Sequence, residues 1–449
     1  VGDGLGWDGQ FYGKWAQTIP EAVSGRTMNS YHLQRVLPSA LVHYGLRITG
    51  CSLSVPNVIR GFEILNIFCL TVAAFGWGCL ADRLRISCRG KWLGFIAIFF
   101  NFCFLKFGAY YPVLTDTPAF TVAMLMLFAY LKDKLWVLSV LTVMGAFIWP
   151  MLIYVGMAFL VFPRSEVHPA TGRRIWSYLW AGVTSAMVTA AAVYVHFICG
   201  YRFGGATPIF SLIYLSVFMV GAYVFLATQP LFYYFPPMML KTLITPQRLG
   251  RLALAICILA AVKLVIAQFA SGPPSLSFVM YMKDILSFSI GKPLVSYLGH
   301  VLYFGPIVII MAFVWNRCCT LALQQGLGLS LALLLGVVMS IGASRHVIVI
   351  FPLLMPFVVK VVDEWPLNRS FFIWFILMAL LFSKVWVVNV NSGLHGSILD
   401  FPWQKFFGSI GEMMCTEMYY IQGAFTLAVA ALYYWFYFRR LALTANRHQ

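Results

Sequence analysis

The chain has 449 residues, of which 61% are hydrophobic and only 10% are charged. Soluble domains carry roughly 45–50% apolar and about 25% charged residues, so this composition excludes a soluble enzyme, a disordered protein and a fibrous repeat. Apolar runs of about 20 residues recur along the chain, and they predict an all-α polytopic membrane protein.

Two parts of the chain differ in the spacing of their apolar residues. Residues 1–55 contain no long apolar run, and we interpret them as an external loop whose helices lie in the membrane interface. Residues 56–449 are the predicted transmembrane helical domain, with two further external loops at 269–299 and 391–418. About 13 transmembrane or half-spanning helices are predicted in this domain, at 56–81, 92–110, 117–131, 135–149, 150–163, 175–199, 207–234, 250–268, 300–316, 321–342, 345–363, 370–390 and 419–438.

The distribution of Lys and Arg predicts which loops face the cytoplasm. One alternating set of loops carries 17 cations, whereas the other set carries nine over much longer segments. Because cytoplasmic loops collect Lys and Arg, the first set is predicted inside, and this accounts for the net charge of +17 without nucleic-acid binding. Residues 1–55 then lie outside, and we expect that a first transmembrane helix is missing or that the chain begins after processing.

The apolar runs 135–149 and 150–163 are each short for a full membrane crossing. They could form one long helix or a hairpin of two short helices. Cations flank the pair on both sides, which predicts that both flanks are cytoplasmic. Pro150 disfavours an α conformation at Trp149 and breaks the helix, so a hairpin that turns at Trp149-Pro150 fits best.

The first external loop contains the most informative carboxylate. Trp7, Phe11, Tyr12 and Trp15 recur at helical spacing and fall on one helix face. Asp8 stands just before this aromatic helix. Its carboxylate either caps the helix or serves as an externally facing acid at the membrane interface.

Asp116 lies at the external end of a predicted span, just before the helix that Pro118 opens. Thr115 or Asp116 would cap that helix. The predicted sidedness nevertheless places Asp116 at the same membrane depth as Asp8. Two carboxylates that meet on one face are what a site for a polar headgroup requires.

Two external arginines are candidates for phosphate binding. Arg345 and His346 lie at the external mouth of two spans, against the cytoplasmic bias of cations. Such an arginine either snorkels to the interface or binds phosphate through its forked donors. Arg35 lies in a predicted amphipathic helix at about 30–48, where it either contacts lipid headgroups or performs the same task.

Other side chains leave structural alternatives open. Arg60 and Glu63 are three residues apart near an outer helix end and could form an ion pair. Cys51 and Cys415 are the two cysteines predicted to face outside, so a disulfide between them is open. The nucleotide-binding, zinc-protease and serine-hydrolase motifs are absent from the sequence.

These motifs together resemble one family of membrane enzymes. Trp7-Asp8-Gly9-Gln10-Phe11-Tyr12 and Arg35-Val36-Leu37-Pro38 resemble the first external loop of bacterial GT-C glycosyltransferases. Thr115-Asp116-x-Pro118 is similar to the second acidic site of those enzymes. Arg345-His346, before Phe351-Pro352, is similar to a segment in their C-terminal half. GT-C enzymes are polytopic and use polyprenyl-phosphate sugars, so the resemblance implies a GT-C-like fold and an inverting sugar transfer on the periplasmic face of a bacterial inner membrane.

The resemblance also implies roles for individual residues. Asp8 would be the catalytic base, and Asp116 would orient the acceptor or the sugar. The donor phosphate would dock near Arg345, with help from Arg35 or His346. The remaining predicted substrate contacts are Trp7, Gln10 and Tyr12.

The implied partners are a polyprenyl-phosphate-linked sugar donor, a lipid or glycan acceptor, and the membrane. The sequence contains no Asp-x-Asp pair for a metal-bridged diphosphate, so no cofactor is assigned, and a divalent cation, Mg²⁺ or Mn²⁺, stays open. Three alternatives to a monosaccharide transferase remain. They are a transporter or flippase of lipid-linked sugars, a polymerase or ligase of lipid-linked glycans, and a non-catalytic subunit of a membrane complex.

Overall fold

The structure, a computed structural model, describes residues 5, 6, 8–164, 174–198, 208–233, 245–272, 278–365, 368–386 and 414–439. Within these residues the regular structure is helical, and the β-type pairing consists of one isolated bridge between Asn29 and Ser271. The predicted all-α class is therefore confirmed for the described part of the chain.

The first third of the chain contains three short helices, a long helix and a series of shorter apolar helices. A π-helical turn at Cys103–Phe107 precedes α6. The helices are α1 (Gly9–Ser24), α2 (Ser30–Leu33), α3 (Val36–Ile48), α4 (Val55–Arg83), α5 (Cys88–Phe99), α6 (Gly108–Tyr110), α7 (Asp116–Leu131), α8 (Leu135–Ala146) and α9 (Met151–Val161).

The described residues after α9 form helices as well. A 3₁₀ turn at Ser344–Val347 separates α16 from α17. The helices are α10 (Arg174–Val193), α11 (Ile213–Thr228), α12 (Pro246–Phe269), α13 (Phe278–Ile290), α14 (Val295–Phe304), α15 (Ile307–Leu323), α16 (Leu327–Met339), α17 (Phe351–Asp363), α18 (Arg369–Ser383) and α19 (Thr416–Tyr433).

Four helical stretches are long and apolar enough to cross a bilayer, namely Val55–Arg83, Ile175–Phe197, Phe210–Phe232 and Pro246–Phe269. The number rises to six if each of two bent helix pairs is one span. These pairs are Cys88–Phe99 with Cys103–Tyr110, bent by 49°, and Met282–Ile290 with Val295–Phe304, bent by 94°. A membrane protein with several apolar helices is therefore compatible with the described structure.

The predicted hairpin at Trp149-Pro150 is present as two short antiparallel helices, α8 and α9. A Cβ atom added at Gly145 would lie 2.7 Å from Leu152 Cβ, and one added at Gly156 would lie 2.2 Å from Thr142 Oγ1. These glycines let the two helices approach closely, as small residues do in membrane helix pairs. The preference for a hairpin over one long helix is confirmed.

The run predicted as one span at 300–316 is divided by Gly305-Pro306. Helix α14 ends at Phe304 and α15 begins at Ile307, and Gly305 has a φ of +83°. Pro306 lacks the N–H that would continue the helix, and glycine accepts the left-handed conformation before it. The boundary of the predicted span is therefore wrong, although its residues are helical.

The described residues of the predicted first external loop fold into helices that dock on one another. Pro20 has no N–H to donate to the carbonyl of Ala16, and α1 is non-helical at Thr18, with φ −131° and ψ 36°. The freed carbonyl of Ala16 accepts a hydrogen bond from His43 Nδ1 at 2.8 Å. A break that proline imposes on α1 thus becomes an attachment point for α3.

Two further alternatives from the sequence concern an ion pair between Arg60 and Glu63 and a disulfide between Cys51 and Cys415. The four ion pairs among the described residues do not include Arg60 and Glu63, whose side chains are exposed. Both candidate disulfide cysteines are free, since Cys51 is exposed while Cys415 is buried. Neither the predicted ion pair nor the disulfide is formed.

Candidate functional site

The carboxylate of Asp8 accepts a hydrogen bond from a tyrosine of the same predicted loop. The Tyr31 hydroxyl donates a hydrogen bond of 2.8 Å to Asp8 Oδ2. The backbone carbonyl of Asp8 accepts the N–H groups of Phe11 and Tyr12, but its side chain makes no capping hydrogen bond to α1. The capping alternative therefore does not describe this carboxylate, which is half-buried and turned toward Tyr31.

Arg35 lies between two aromatic rings. Its Cζ atom is 3.9 Å from the centroid of the Tyr31 ring and 5.0 Å from that of Trp149. Its Nη1 donates to the Tyr31 carbonyl at 3.0 Å. Arg35 is 8% exposed, and no carboxylate of the described residues lies within ion-pair distance of it. Two aromatic rings therefore contact the guanidinium group of Arg35 through cation–π interactions, in the place where a carboxylate would usually stand.

Arg345 and Asp116 form an ion pair with two parallel hydrogen bonds, in which the Asp116 side chain is buried and the Arg345 side chain is 26% exposed. Nε of Arg345 donates to Oδ1 of Asp116 at 3.0 Å, and Nη2 donates to Oδ2 at 2.6 Å. Bidentate pairing fixes the plane of the guanidinium group. The carboxylate does not cap α7, whose N-cap residue is Thr115. Asp116 is thus positioned to orient Arg345.

The tip of the α8–α9 hairpin reaches both arginines. The Trp149 ring centroid is 5.0 Å from Arg35 Cζ and 5.9 Å from Arg345 Cζ. The backbone N–H of Leu37 donates to the Phe147 carbonyl at 3.0 Å, which joins the external loop to this tip. The hairpin therefore places one aromatic ring beside two cations that are 310 positions apart in the numbering.

The turn that carries Arg345 is held from several helices. His300 on α14 donates from Nε2 to the Ser340 carbonyl at 2.7 Å, and its Nδ1 is 3.0 Å from Ser344 Oγ. Ser289 and Ser296 both donate to the carbonyl of Ile341. A non-helical turn would expose backbone carbonyls in an apolar setting, and these side chains satisfy them.

The group of Asp8, Tyr31 and Arg35 and the pair of Asp116 and Arg345 act electrostatically on the same neighbouring side chains. The charges of Asp8, Arg35 and Arg345 all act on the hydroxyl of Tyr12, and those of Arg345, Arg35 and Asp116 act on the ring of His346. The sequence placed these residues on four separate segments with the same predicted sidedness. The structure brings them to one end of the helical bundle, which we name the site end and define by Asp8, Asp116, Trp149 and Arg345.

Burial keeps three side chains near Asp8 neutral, namely Tyr12, Tyr31 and His32. It raises the pKa of Tyr12 and of Tyr31 above the usual value, although the nearby charge of Arg35 opposes this shift. Burial also lowers the pKa of His32, against the raising effect of Asp8. The two tyrosines therefore stay protonated donors at neutral pH, and His32 stays uncharged.

Not every predicted contact residue joins the cluster. Tyr12 is buried within it, but Gln10 is exposed, and no hydrogen bond of its side chain is found among the described residues. Trp7 lies outside the described residues. The predicted roles of Asp8, Asp116 and His346 stay predictions.

Two residues of the cluster were not predicted as site residues. Tyr31 was not singled out, and Trp149 was noted only as the point where the hairpin turns. The signal for Tyr31 was its position four residues before Arg35, one helical turn away. No local pattern in the sequence links Trp149 to an arginine, because those contacts depend on how the hairpin packs.

A cavity of about 380 Å³ lies beside the Arg345 turn. Its lining is almost entirely apolar, with a polar rim formed by Tyr223, His300 and Ser340. Val347 and Ile350, from the segment that follows Arg345, contribute to its wall. Leu226, another lining residue, is 68% exposed, so the cavity reaches the surface of the bundle there.

The described residues contain no group of three or more His, Cys, Asp or Glu side chains suited to hold a metal ion. The divalent cation left open by the sequence therefore gains no assigned ligands.

Comparison of the chain with protein-family models, with curated proteins and with solved structures gave no match. The resemblance to the GT-C glycosyltransferases therefore rests on the residues quoted above, and it stays a prediction.

Proposed function

We propose that this protein is a membrane glycosyltransferase that moves a sugar from a polyprenyl-phosphate donor to a hydroxyl acceptor. The observation that carries the proposal is the site end itself. The Tyr31 side chain links the carboxylate of Asp8 to the guanidinium group of Arg35, and the Trp149 ring lies beside the guanidinium groups of both Arg35 and Arg345. Transfer of a sugar from a phosphate leaving group needs these two kinds of group, namely a base for the acceptor and cations for the phosphate.

In the proposed reaction, Asp8 accepts the proton of the acceptor hydroxyl as its oxygen attacks the anomeric carbon. A new carbon–oxygen bond forms to the acceptor, while the bond between the anomeric carbon and the phosphate oxygen breaks. The electron pair of that bond stays on the phosphate, whose growing charge Arg35 and Arg345 stabilise. One direct displacement inverts the anomeric centre. Asp116 holds the guanidinium plane of Arg345 in place.

The apolar cavity supports a donor with a hydrocarbon chain. It adjoins the segment that carries Arg345, and its polar rim contains His300, which holds that same segment. A chain seated in the cavity would bury apolar surface at roughly 25 cal/mol per Å². Its phosphate would then emerge near the guanidinium groups. A free nucleotide sugar would leave this cavity unused.

The finer architecture belongs to the same proposal. We place about 13 transmembrane or half-spanning helices in a GT-C-like arrangement, with the site end facing the periplasm of a bacterial inner membrane. The contacts between predicted loops support a consistent sidedness. Residues predicted outside contact one another at the site end, while residues predicted inside pair elsewhere, as Arg251 does with Asp133 and Arg317 with Glu364.

The test is a turnover assay on purified protein with a panel of radiolabelled polyprenyl-phosphate sugars and a membrane extract as acceptor. We expect transfer by the wild type and a loss of roughly 100-fold or more in Asp8→Asn, since a positioned general base contributes 10²–10⁴-fold. Donor binding should persist in this variant. Glu21→Gln, an exposed acid on the same helix, is the matched control and should keep full activity.

The same assay separates the alternatives. Donor binding without transfer in any form of the protein would favour a non-catalytic subunit or a transporter, and movement of labelled donor across proteoliposomes would then identify the transporter. Transfer of oligosaccharides but not of single sugars would favour a polymerase or ligase. Equal activity of Asp8→Asn and wild type would remove Asp8 as the base.

A further inference from the structure

Among the described residues, Tyr31 connects the proposed base, Asp8, to Arg35. Its hydroxyl donates to Asp8 Oδ2 at 2.8 Å, and its ring lies 3.9 Å from Arg35 Cζ. Its carbonyl accepts from Arg35 Nη1 at 3.0 Å. Three different parts of one residue therefore fix the relative positions of a carboxylate and a guanidinium group.

The backbone geometry explains why this connection is rigid. Asn29 caps α2, with its Oδ1 accepting the N–H of His32 at 2.9 Å, and the backbone N–H of Ser271 donates to the Met28 carbonyl at 2.7 Å. The backbone segment just before Tyr31 is thus held by the Asn29 cap of α2 and by the hydrogen bond from Ser271, which follows α12. The side chain of Tyr31 extends from an anchored backbone.

We propose that Tyr31 is a positioning residue that holds the Asp8 carboxylate in its reactive orientation and couples it to Arg35. This inference rests on the proposed transferase function. A carboxylate on a loop has a free torsion about its Cα–Cβ bond, and the tyrosine hydroxyl restricts it to one direction. The proton of the acceptor hydroxyl would pass to the second carboxylate oxygen, Oδ1, for which no hydrogen bond is found among the described residues.

Two substitutions separate the roles of the hydroxyl and the ring. Tyr31→Phe removes the hydrogen bond to Asp8 but keeps an aromatic face for Arg35. We expect kcat to fall by roughly 10- to 100-fold, as for the loss of a hydrogen bond to a charged group, with the KM for the donor within about twofold of wild type. Tyr31→Leu removes both contacts, and it should raise the donor KM in addition to lowering kcat.

The controls use residues of the same loop. Tyr44→Phe changes a tyrosine of α3 that is 53% exposed, and it should leave kcat and KM unchanged. Folding of each variant is checked by its thermal unfolding midpoint in detergent. A merely structural role for Tyr31 would lower the unfolding midpoint and the fraction of active protein, while the kcat of the folded fraction stayed at the wild-type value.

The outcomes distinguish this inference from the function on which it rests. If wild type is active and Asp8→Asn is not, while folded Tyr31→Phe keeps the kcat of wild type, Tyr31 has no positioning role and the proposed function stands. If neither wild type nor any variant transfers sugar, the proposed function fails, and this inference fails with it.

Discussion

The two polar ends of the helical bundle hold their charges in different ways. At the site end, the carboxylate of Asp116 is 5% exposed and binds Arg345 through two hydrogen bonds. The other three ion pairs of the described residues join loops that were predicted to be cytoplasmic, and there the carboxylates are between 42% and 68% exposed. Exposed pairs are typical of solvated loops, whereas a bidentate pair with a buried carboxylate requires a reason.

The comparison shows which charges are candidates for function. A surface ion pair contributes at most about 1 kcal/mol and is screened by salt. Charged groups in the membrane are costly, and those that remain there tend to mark a functional site. Arg35 is also buried, beside aromatic rings and without a carboxylate partner among the described residues. In the proposed function its partner is the phosphate of the donor.

Matched acid-to-amide substitutions at the two ends give the largest expected difference. Asp116→Asn leaves the partly buried Arg345 without its counter-charge, and we expect a loss of about 1.5–3 kcal/mol in the free energy of unfolding. Glu364→Gln breaks an exposed pair with Arg317 and should cost less than about 1 kcal/mol. Unfolding in detergent measures both changes. Equal losses in the two variants would show that the ends do not differ in the proposed way.

Removal of the aromatic ring between the two arginines should have an intermediate effect. Trp149→Leu deletes the cation–π contacts to Arg35 and Arg345, each worth about 0.5–2 kcal/mol. We expect weaker binding of the donor, measured as a raised KM, with a smaller change in kcat. Trp136→Leu is the control, because Trp136 lies on the same hairpin and is 79% exposed. An unchanged KM in Trp149→Leu would remove the ring from the phosphate site.

The smallest effect concerns His32, which contacts the rings of Phe11 and Trp15 at 4.7 Å and 4.5 Å between centroids. Burial lowers the pKa of His32 in the folded protein. As the pH falls through the usual value of about 6.5, the unfolded chain therefore binds a proton that the folded chain resists, and stability decreases. His32→Phe should reduce this acid-dependent decrease in the unfolding midpoint between pH 7.5 and 5.5. A variant with the same decrease as wild type would contradict it.

The sequence predicted the class of fold and several local features because these depend on short-range patterns. Apolar runs indicated the membrane helices, Pro150 indicated the hairpin, and the aromatic spacing after Asp8 indicated α1. The break at Gly305-Pro306 was missed because the apolar run continues across it. A proline within a long apolar run is a signal that should have divided the span.

The site was only half predictable. Asp8, Arg35, Asp116 and Arg345 could be chosen because charged residues are few in this chain and stand out at external helix ends. The sequence did not indicate which residues these four side chains contact. Arg345 pairs with a carboxylate 229 residues away, and Asp116 was expected to orient the substrate rather than an arginine.

Composition and local periodicity thus determined by themselves that this chain forms apolar helices with charged groups at their ends. Only the tertiary structure decided that Trp149 lies beside two arginines, that the Tyr31 hydroxyl donates to Asp8, and that Gln10 is exposed. The physical reason is one of range. Helix formation depends on neighbours within about four residues, whereas these contacts depend on the packing of helices that are far apart in the chain.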